Sequence, residues 1–287
     1  MNNTKIRAFD LMTKKVVEAN RIYFDAIADY YDRDPAQKRG CYHGNGKLRY
    51  HEFLMPRVSC GEILPGRVVN IGCGSGHMMD VEDAFSLRSI GLDISMRMLE
   101  RARRVSCRLV QGDAHTLPFP DNSMTLASGI VFLHHVYDPL CFFRECYRVL
   151  RPSGWLYTDY DPNYYAAVRL QRHWLLRGLW KRWRKVSFDC MGVGVSVPVD
   201  VACLADYHNE IEPGFRPEDL ARALLAAGFQ HVSVIPHSDG PSLIFPKRGK
   251  FARKLIEWAL VPFGAWTYEK RAKNIAVIAQ KPAGGCA

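Results

Sequence analysis

The chain has 287 residues, 48% of them apolar and 24% charged, the balance of a globular protein with one or two domains and a sizeable core. That balance excludes a disordered chain, a collagen-like repeat and a small disulfide-stapled scaffold. The formal charge of +10 is uneven: residues 162–188 hold seven Lys/Arg and no acid, residues 247–254 hold five more, and the rest of the chain is close to neutral, which points to a local anionic partner or two solvated helix faces.

Residues 1–35 read as helical, with Val16, Val17, Ile22, Phe24, Ile27 and Ala28 as apolar positions and no proline before Pro35. Residues 36–66 read as irregular, punctuated by Gly40, Gly44, Gly46, Pro56, Gly61, Pro65 and Gly66. Strand and helix patterns then alternate. Arg67–Ile71, Ser89–Asp93, Cys107–Gln111, Met124–Gly129 and Gly154–Asp159 read as strands, with helices at Ser95–Arg104 and Pro139–Leu150. This alternation predicts a parallel sheet covered by helices on both faces. It stops at Asp161. Residues 162–215 read as an insertion, basic and rich in Trp at first. A helix at Arg216–Ala227, a strand at His231–Pro236, a second basic helical stretch at about 248–260 and a last strand at Ile275–Gln280 complete the chain. The expected organisation is a helical cap over 1–60, a ligand-binding half-sheet over 61–161, a lid over 162–215 and a C-terminal part over 216–287.

The start MNNTKIRAFDLMTKK carries an acid and has no apolar h-region, so no secretory signal is expected. The longest uncharged run, Asn122–Tyr137, is broken by Ser, Thr, Gly and His and does not read as a membrane span. Nine scattered cysteines without a CxxC pair suggest reduced thiols in a cytoplasm.

The most informative segment is VVNIGCGSGHMMD, residues 68–80. A strand runs into Gly72-Cys73-Gly74-Ser75-Gly76, where glycines permit a tight turn and close approach of backbone to a ligand. A dinucleotide fingerprint would need its third glycine at 77, which is histidine. Asp93 ends the second strand, 21 residues after Gly72, where an acid can accept hydrogen bonds from both hydroxyls of a ribose. Asp113 ends the third strand, placed to accept from an exocyclic adenine amine with Ala114 offering backbone. Each feature lies at a strand carboxyl end, where open α/β sheets bind ligands.

The stretches VVNIGCGSG, IGLDISMRMLERAR, QGDAHTLPFPDNSMTLASGIVFLHHVYDP and FFRECYRVLRPSGWLYTD together resemble the class I S-adenosylmethionine-dependent methyltransferases, in the broad small-molecule group called type 11. The resemblance implies a seven-stranded sheet of order 3-2-1-4-5-7-6 with an antiparallel seventh strand. It implies S-adenosylmethionine as cofactor and S-adenosylhomocysteine as product. By position it places Gly72, Cys73, Gly74 and Gly76 along the methionine part, Asp93 on the ribose, and Ile94 and Met98 near the adenine. Asp113 and Ala114 fall at the adenine edge and Ile130 near the sulfur. Tyr23 and Tyr31, in a stretch resembling the closing helix of relatives, are candidates for cofactor contact. Family members usually carry Asp or Glu where this chain has Asn70, which can still accept a hydrogen bond but brings no charge.

Methyl transfer needs alignment and exclusion of water, and a base only where the acceptor must lose a proton. The candidates for that role are His208, His135 and Tyr207, with His134 beside them and Asp159, Tyr160 and Asp161 ending strand five. Cys41, His43, His51 and Cys60 lie close in sequence but match no metal-ligand spacing, and no metal is expected. In the insertion, Leu176, Leu179, Trp180 and Trp183 share one helical face, with Arg169, His173, Arg177, Lys181 and Arg184 along another. That pattern suits an anionic membrane surface or a lipid-like acceptor. The leading reading is methyl transfer to a small, hydrophobic or lipid-linked acceptor, anionic in one version, by a cytoplasmic protein that touches the membrane peripherally. Two alternatives stand beside it: an RNA methyltransferase, disfavoured because no RNA-binding module is appended, and a catalytically silent cofactor-binding protein acting through a partner.

Overall fold

The structure, a computed structural model, describes residues 3–32, 45–172, 197–238 and 272–284. Expectations that fall on 173–196 and 239–271 lie outside the described residues. These are most of the Trp-bearing basic face and the second basic helix. So does the suggestion about Cys41 and His43.

The described elements are helices α1 (Asn3–Tyr31) and α2 (Asn45–Ser59), strand β1 (Val68–Ile71), helix α3 (Met79–Ala84), strand β2 (Ile90–Asp93), helix α4 (Met96–Ala102), and strands β3 (Leu109–Gln111) and β4 (Met124–Ile130). After a single 3-10 turn (Leu133–His135) come α5 (Pro139–Val149), β5 (Leu150–Pro162), α6 (Tyr164–Arg172), α7 (Val199–Ala205), α8 (Tyr207–Glu210), α9 (Pro217–Ala227), β6 (Gln230–His237) and β7 (Asn274–Gln280). The seven strands form one sheet of order β3-β2-β1-β4-β5-β7-β6. β7 runs antiparallel to both neighbours, β5 and β6, and the other pairings are parallel. Order and direction match the expectation.

Alternation along β1 explains the layers, because successive side chains point to opposite faces. Val69 and Ile71 join Phe142, Phe143 and Cys146 of α5 and Leu220 and Leu224 of α9 in one core. Val68 belongs to the other, with Tyr50, Phe53 and Leu54 of α2, Val81 of α3 and Tyr157 of β5. The helices begin and end at local chemical signals. Ser95 caps α4 by accepting from the Met98 N–H at 3.1 Å. Asp138 caps α5 by accepting from the Leu140 and Cys141 N–H groups, with Pro139 in the first turn. α9 stops at Gly228, whose φ of 103° lies in the left-handed region.

Two departures have physical causes. α2 occupies part of the stretch expected to be irregular. Tyr50, Phe53 and Leu54 sit at i, i+3 and i+4 and are buried against the sheet, so tertiary packing overrides the glycine and proline signals. Pro56 is accommodated near the helix C-terminus. β5 starts at Leu150 instead of Gly154 and runs to Pro162, with a register shift between Thr158 and Asp161 against β7. Tyr160 at that shift has a positive φ of 66°. In an unbroken strand Asp159 and Asp161 would share a face; the irregularity lets them serve different partners.

Phe142 is fully buried in the core that joins α5 to the sheet. Phe142→Ala is expected to cost about 3–5 kcal/mol of unfolding free energy, read from the urea midpoint at unchanged slope.

Candidate functional site

The carboxyl ends of β1, β2, β3 and β4 open on a cavity of about 230 Å³ roofed by α1. Its floor includes Gly72 and Gly74 after β1 and Asp93 and Ile94 after β2. Asp113 and Ala114 follow β3, and Phe132 follows β4. Tyr23, Phe24 and Tyr31 of α1 and Met98 of α4 complete much of the wall. A side chain at Gly72 is ruled out twice: its φ is +64°, and a Cβ there would lie 2.2 Å from the Phe132 ring.

Asp93 is the electrostatic centre of this floor. It is only 7% exposed. Its Oδ2 accepts from the Gly74 N–H at 2.8 Å and its Oδ1 from the Ser95 N–H at 2.9 Å. Each carboxylate oxygen has two lone pairs, so one on each remains for a ligand, which matches the two vicinal hydroxyls of a ribose. Burial pushes this carboxyl up to about 6, against the lowering by the backbone N–H groups of Ser95, Gly74 and Ile94. Asp113 uses Oδ1 for the His115 backbone N–H (2.9 Å) and ring Nδ1 (2.8 Å). Those contacts outweigh burial and hold its carboxyl below the usual range.

α1 is tied across the opening by charge. Asp32 accepts from Ser75 Oγ at 2.6 Å, from Arg101 of α4 at 2.5 Å and from Arg104 in the turn after α4 at 2.8 Å, and lies 3.0 Å from His77 Nε2. Burial works against its charge, but the Ser75, Arg101 and Arg104 hydrogen bonds prevail and hold it well below the usual carboxylate range. Asp25 accepts from Ser95 Oγ at 2.6 Å, and Asp29 pairs with Arg97 at 2.8 Å. At the far side Asn20 donates to the His135 carbonyl at 3.1 Å.

That far side is a histidine-lined end. His134, His135 and Asp206 all line the cavity. His134 Nδ1 faces Asp161 Oδ1 at 2.9 Å, and Asp161 also accepts from the His134 backbone N–H at 3.1 Å. His135 Nδ1 lies 2.5 Å from the Ala205 carbonyl. Burial disfavours a charge on either ring. For His135, burial and the adjacent His134 take the imidazole down to about 3; for His134, the bond to Asp161 prevails and the pKa rises.

Of the residues singled out in the sequence, Tyr23, Tyr31, Gly72, Gly74, Asp93, Ile94, Met98, Asp113, Ala114 and His135 line the cavity. Asn70, Cys73, Gly76, Ile130, Tyr207 and His208 do not. Asn70 points away from the opening and donates to Glu82 Oε1 at 3.0 Å, in a buried group with Tyr50 and Ser128. Its missing charge therefore bears on packing, and the acid beside it is Glu82, whose carboxyl burial pushes up. Cys73 is buried with Met79 and Leu99. Gly76 sits against Val105, where a Cβ would come within 3.2 Å. Ile130 faces the α2 side, and Val131 and Phe132 meet the cavity in its place. His208 Nε2 lies 3.0 Å from the Val136 carbonyl, its Nδ1 lies 3.3 Å from Glu212 without a hydrogen bond, and its ring packs on Phe215. Tyr207 is buried edge-on against Tyr137. Neither Asp32 nor Asp206 carries an adequate signal in the sequence, because their contacts lie distant along the chain.

Residues 69–158 match a family model described as a methyltransferase domain. A Mycolicibacterium smegmatis protein described as a probable S-adenosylmethionine-dependent methyltransferase is 33% identical over 118 residues, covering 40% of this chain and 45% of the relative. Cycloartenol-C-24-methyltransferase 1 of Oryza sativa is 30% identical over 173 residues, covering 52% of this chain and 49% of the relative. The chain thus spans about half the length of these relatives. The crystal structure of a SAM-dependent methyltransferase from Archaeoglobus fulgidus superposes with a TM-score of 0.53 at 19% identity, covering 88% of this chain and all of that one; this shows a shared fold.

Asp32→Ala is expected to release the end of α1 while leaving the sheet intact. Amide hydrogen exchange checks this: protection in α1 should fall by about tenfold or more, with β1, β4 and β5 unchanged.

Proposed function

We infer that this chain, whose residues 69–158 are a class I S-adenosylmethionine-dependent methyltransferase domain, transfers the cofactor's methyl group to a small, hydrophobic or lipid-linked acceptor. The observation that carries this reading is the convergence of Asp93, Asp113 and the glycine turn on one cavity.

When bound, the cofactor supplies a methyl group on a positively charged sulfur, open to in-line displacement. The chain's part is to hold and align. Asp93 accepts the ribose hydroxyls with the lone pair left on each oxygen. Asp113 Oδ2 and the backbone of Ala114 meet the adenine edge, and Ile94 and Met98 flank it with apolar surface. Gly72 and Gly74 let the backbone approach the methionine part. Tyr23, Phe24 and Tyr31 close α1 over the site and exclude water. The acceptor enters at the end lined by Phe132, His134, His135 and Val136. Cys73, Gly76 and Asn70 support this floor from beneath. Tyr207 and His208 support its far end, and Ile130 packs on the α2 side of the sheet.

An apolar acceptor fits walls that include Val17, Phe24, Ile27 and Phe132, and cycloartenol stands in the name of one relative. On this reading residues 1–60 form the cap, 61–161 the cofactor half, 162–215 the acceptor lid and 216–287 the closing strands. Among the described residues no helix is long and apolar enough to cross a membrane. The basic stretch over 162–188 extends the proposal to peripheral contact with anionic lipid. Co-sedimentation with phosphatidylglycerol vesicles is expected, and the combined Arg177→Glu, Lys181→Glu and Arg184→Glu variant should lose it.

Formation of S-adenosylhomocysteine from S-adenosylmethionine, followed over a panel of sterol, quinone and fatty acceptors, tests the activity. Cofactor binding tests the site. Asp93 must be ionised to accept two hydroxyls, and its pKa in the folded chain is about 6. Affinity for S-adenosylhomocysteine should therefore be constant above that value and fall about tenfold per pH unit below it. Asp93→Asn should bind weakly at every pH and lack the slope. A wild-type affinity flat from pH 7 to pH 5 would remove Asp93 from the ribose.

A further inference from the structure

The histidine-lined end of the cavity is built differently from the rest. His134 and His135 are adjacent in sequence and their rings lie 4.0 Å apart. A carbonyl oxygen can only accept a hydrogen bond, so the Ala205 contact fixes the His135 proton on Nδ1 and leaves Nε2 with a bare lone pair. The Asp161 carboxylate does the same for His134. His134 Nε2 then faces Asp206 Oδ1 at 3.8 Å. One donor atom from each of His134, His135 and Asp206 lies within 4.8 Å of the others.

We propose that His134, His135 and Asp206 form a binding site for a borderline divalent cation, zinc in the first instance, at the acceptor end of the cavity. Two imidazoles and one carboxylate with a further position open to a cavity is the donor set of a catalytic, as opposed to structural, zinc site. Each ligand also has the outer partner that such sites require. His134 is backed by Asp161, which is 1% exposed; His135 by the Ala205 carbonyl; and Asp206 by Asn209, whose amide donates to Oδ1 at 2.7 Å. Charge argues the same way. Asp161 keeps its second oxygen buried without a hydrogen bond. Among the described residues no Lys or Arg pairs with Asp161 or Asp206; their only ion-pair partner is His134. A buried carboxylate whose one ion-pair partner is the His134 ring favours positive charge at the far nitrogen of that ring, and a cation bound there supplies it. The separations require the ligands to draw in by an ångström or so, since zinc takes nitrogen and oxygen donors at about 2.0–2.2 Å. Asp206 is suited to that movement because it lies at the junction of α7 and α8.

The open position faces the cavity, so it would take an oxygen or sulfur donor from the acceptor. That clause rests on the methyl-transfer reading; cation binding itself does not.

The test uses the full chain, stripped with a chelator and titrated with zinc sulfate by calorimetry in the absence of cofactor. One equivalent should bind with micromolar or tighter affinity. Asp206→Asn and His135→Gln should each weaken it by about a hundredfold or more, and Asp161→Asn, which leaves all three ligands in place, by about 10–100-fold. Circular dichroism establishes that each variant is folded. Cobalt substitution separates this site from the nine cysteines, because only a thiolate ligand produces an intense near-ultraviolet charge-transfer band. Absence of saturable binding to the folded wild type would overturn the proposal. So would a thiolate band, or binding indifferent to all three substitutions. Failure of methyl transfer with cation binding intact would strike the acceptor reading and leave the site standing.

Discussion

A single carboxylate withdrawn from water organises one half of this molecule. Asp93 is nearly inaccessible, yet its two neighbours in space are backbone N–H groups from different elements, Gly74 of the glycine turn and Ser95 at the head of α4. Fixing both at once sets the turn against the end of β2 and aims the remaining lone pairs into the cavity. Burial raises the pKa of the group, so the protein alone solvates its charge imperfectly. Hydroxyl donors from a ligand relieve that penalty, which is how a desolvated acid becomes a specific binding contact.

Ser95 extends the same chain of bonds outward. Its Oγ caps α4 and donates to Asp25 of α1, so the strand end, the helix cap and the roof are linked through three residues. Asp29 and Asp32 repeat the attachment with Arg97 and Arg101 of α4 and Arg104 just after it. These are charged contacts at partly exposed positions, which hold α1 without locking it. A roof so attached is suited to open for ligand exchange and to close by re-forming ion pairs, while the sheet beneath stays fixed.

Much of this was legible in the sequence because it depends on local pattern. β1, β2, β4, β6 and β7 fall within a residue or two of their β-branched runs, and Ser95, Asp138, Pro217 and Gly228 act as the boundary residues their types suggest. The glycine turn, Asp93 and Asp113 were readable by spacing from strand ends. What was hidden depends on contacts distant in sequence. α2 forms because Tyr50, Phe53 and Leu54 find a core, which no local propensity records. The role of Asn70 is settled by Glu82, twelve residues on and on another element. Asp159 and Asp161 look equivalent in the sequence. The β5 irregularity separates them, sending Asp159 to Arg49 and His237 and Asp161 to His134. His208, a candidate base by its sequence position, is buried beside Val136 and Glu212 and does not line the cavity.

The most direct measurement is a crystal structure of the full chain grown with S-adenosylhomocysteine. The account predicts the ribose hydroxyls on the two oxygens of Asp93, the adenine between Asp113 and Met98, and the sulfur directed toward Phe132 and His135 beneath α1. A ligand bound elsewhere, or a cavity still closed by side chains at saturating ligand, would contradict it.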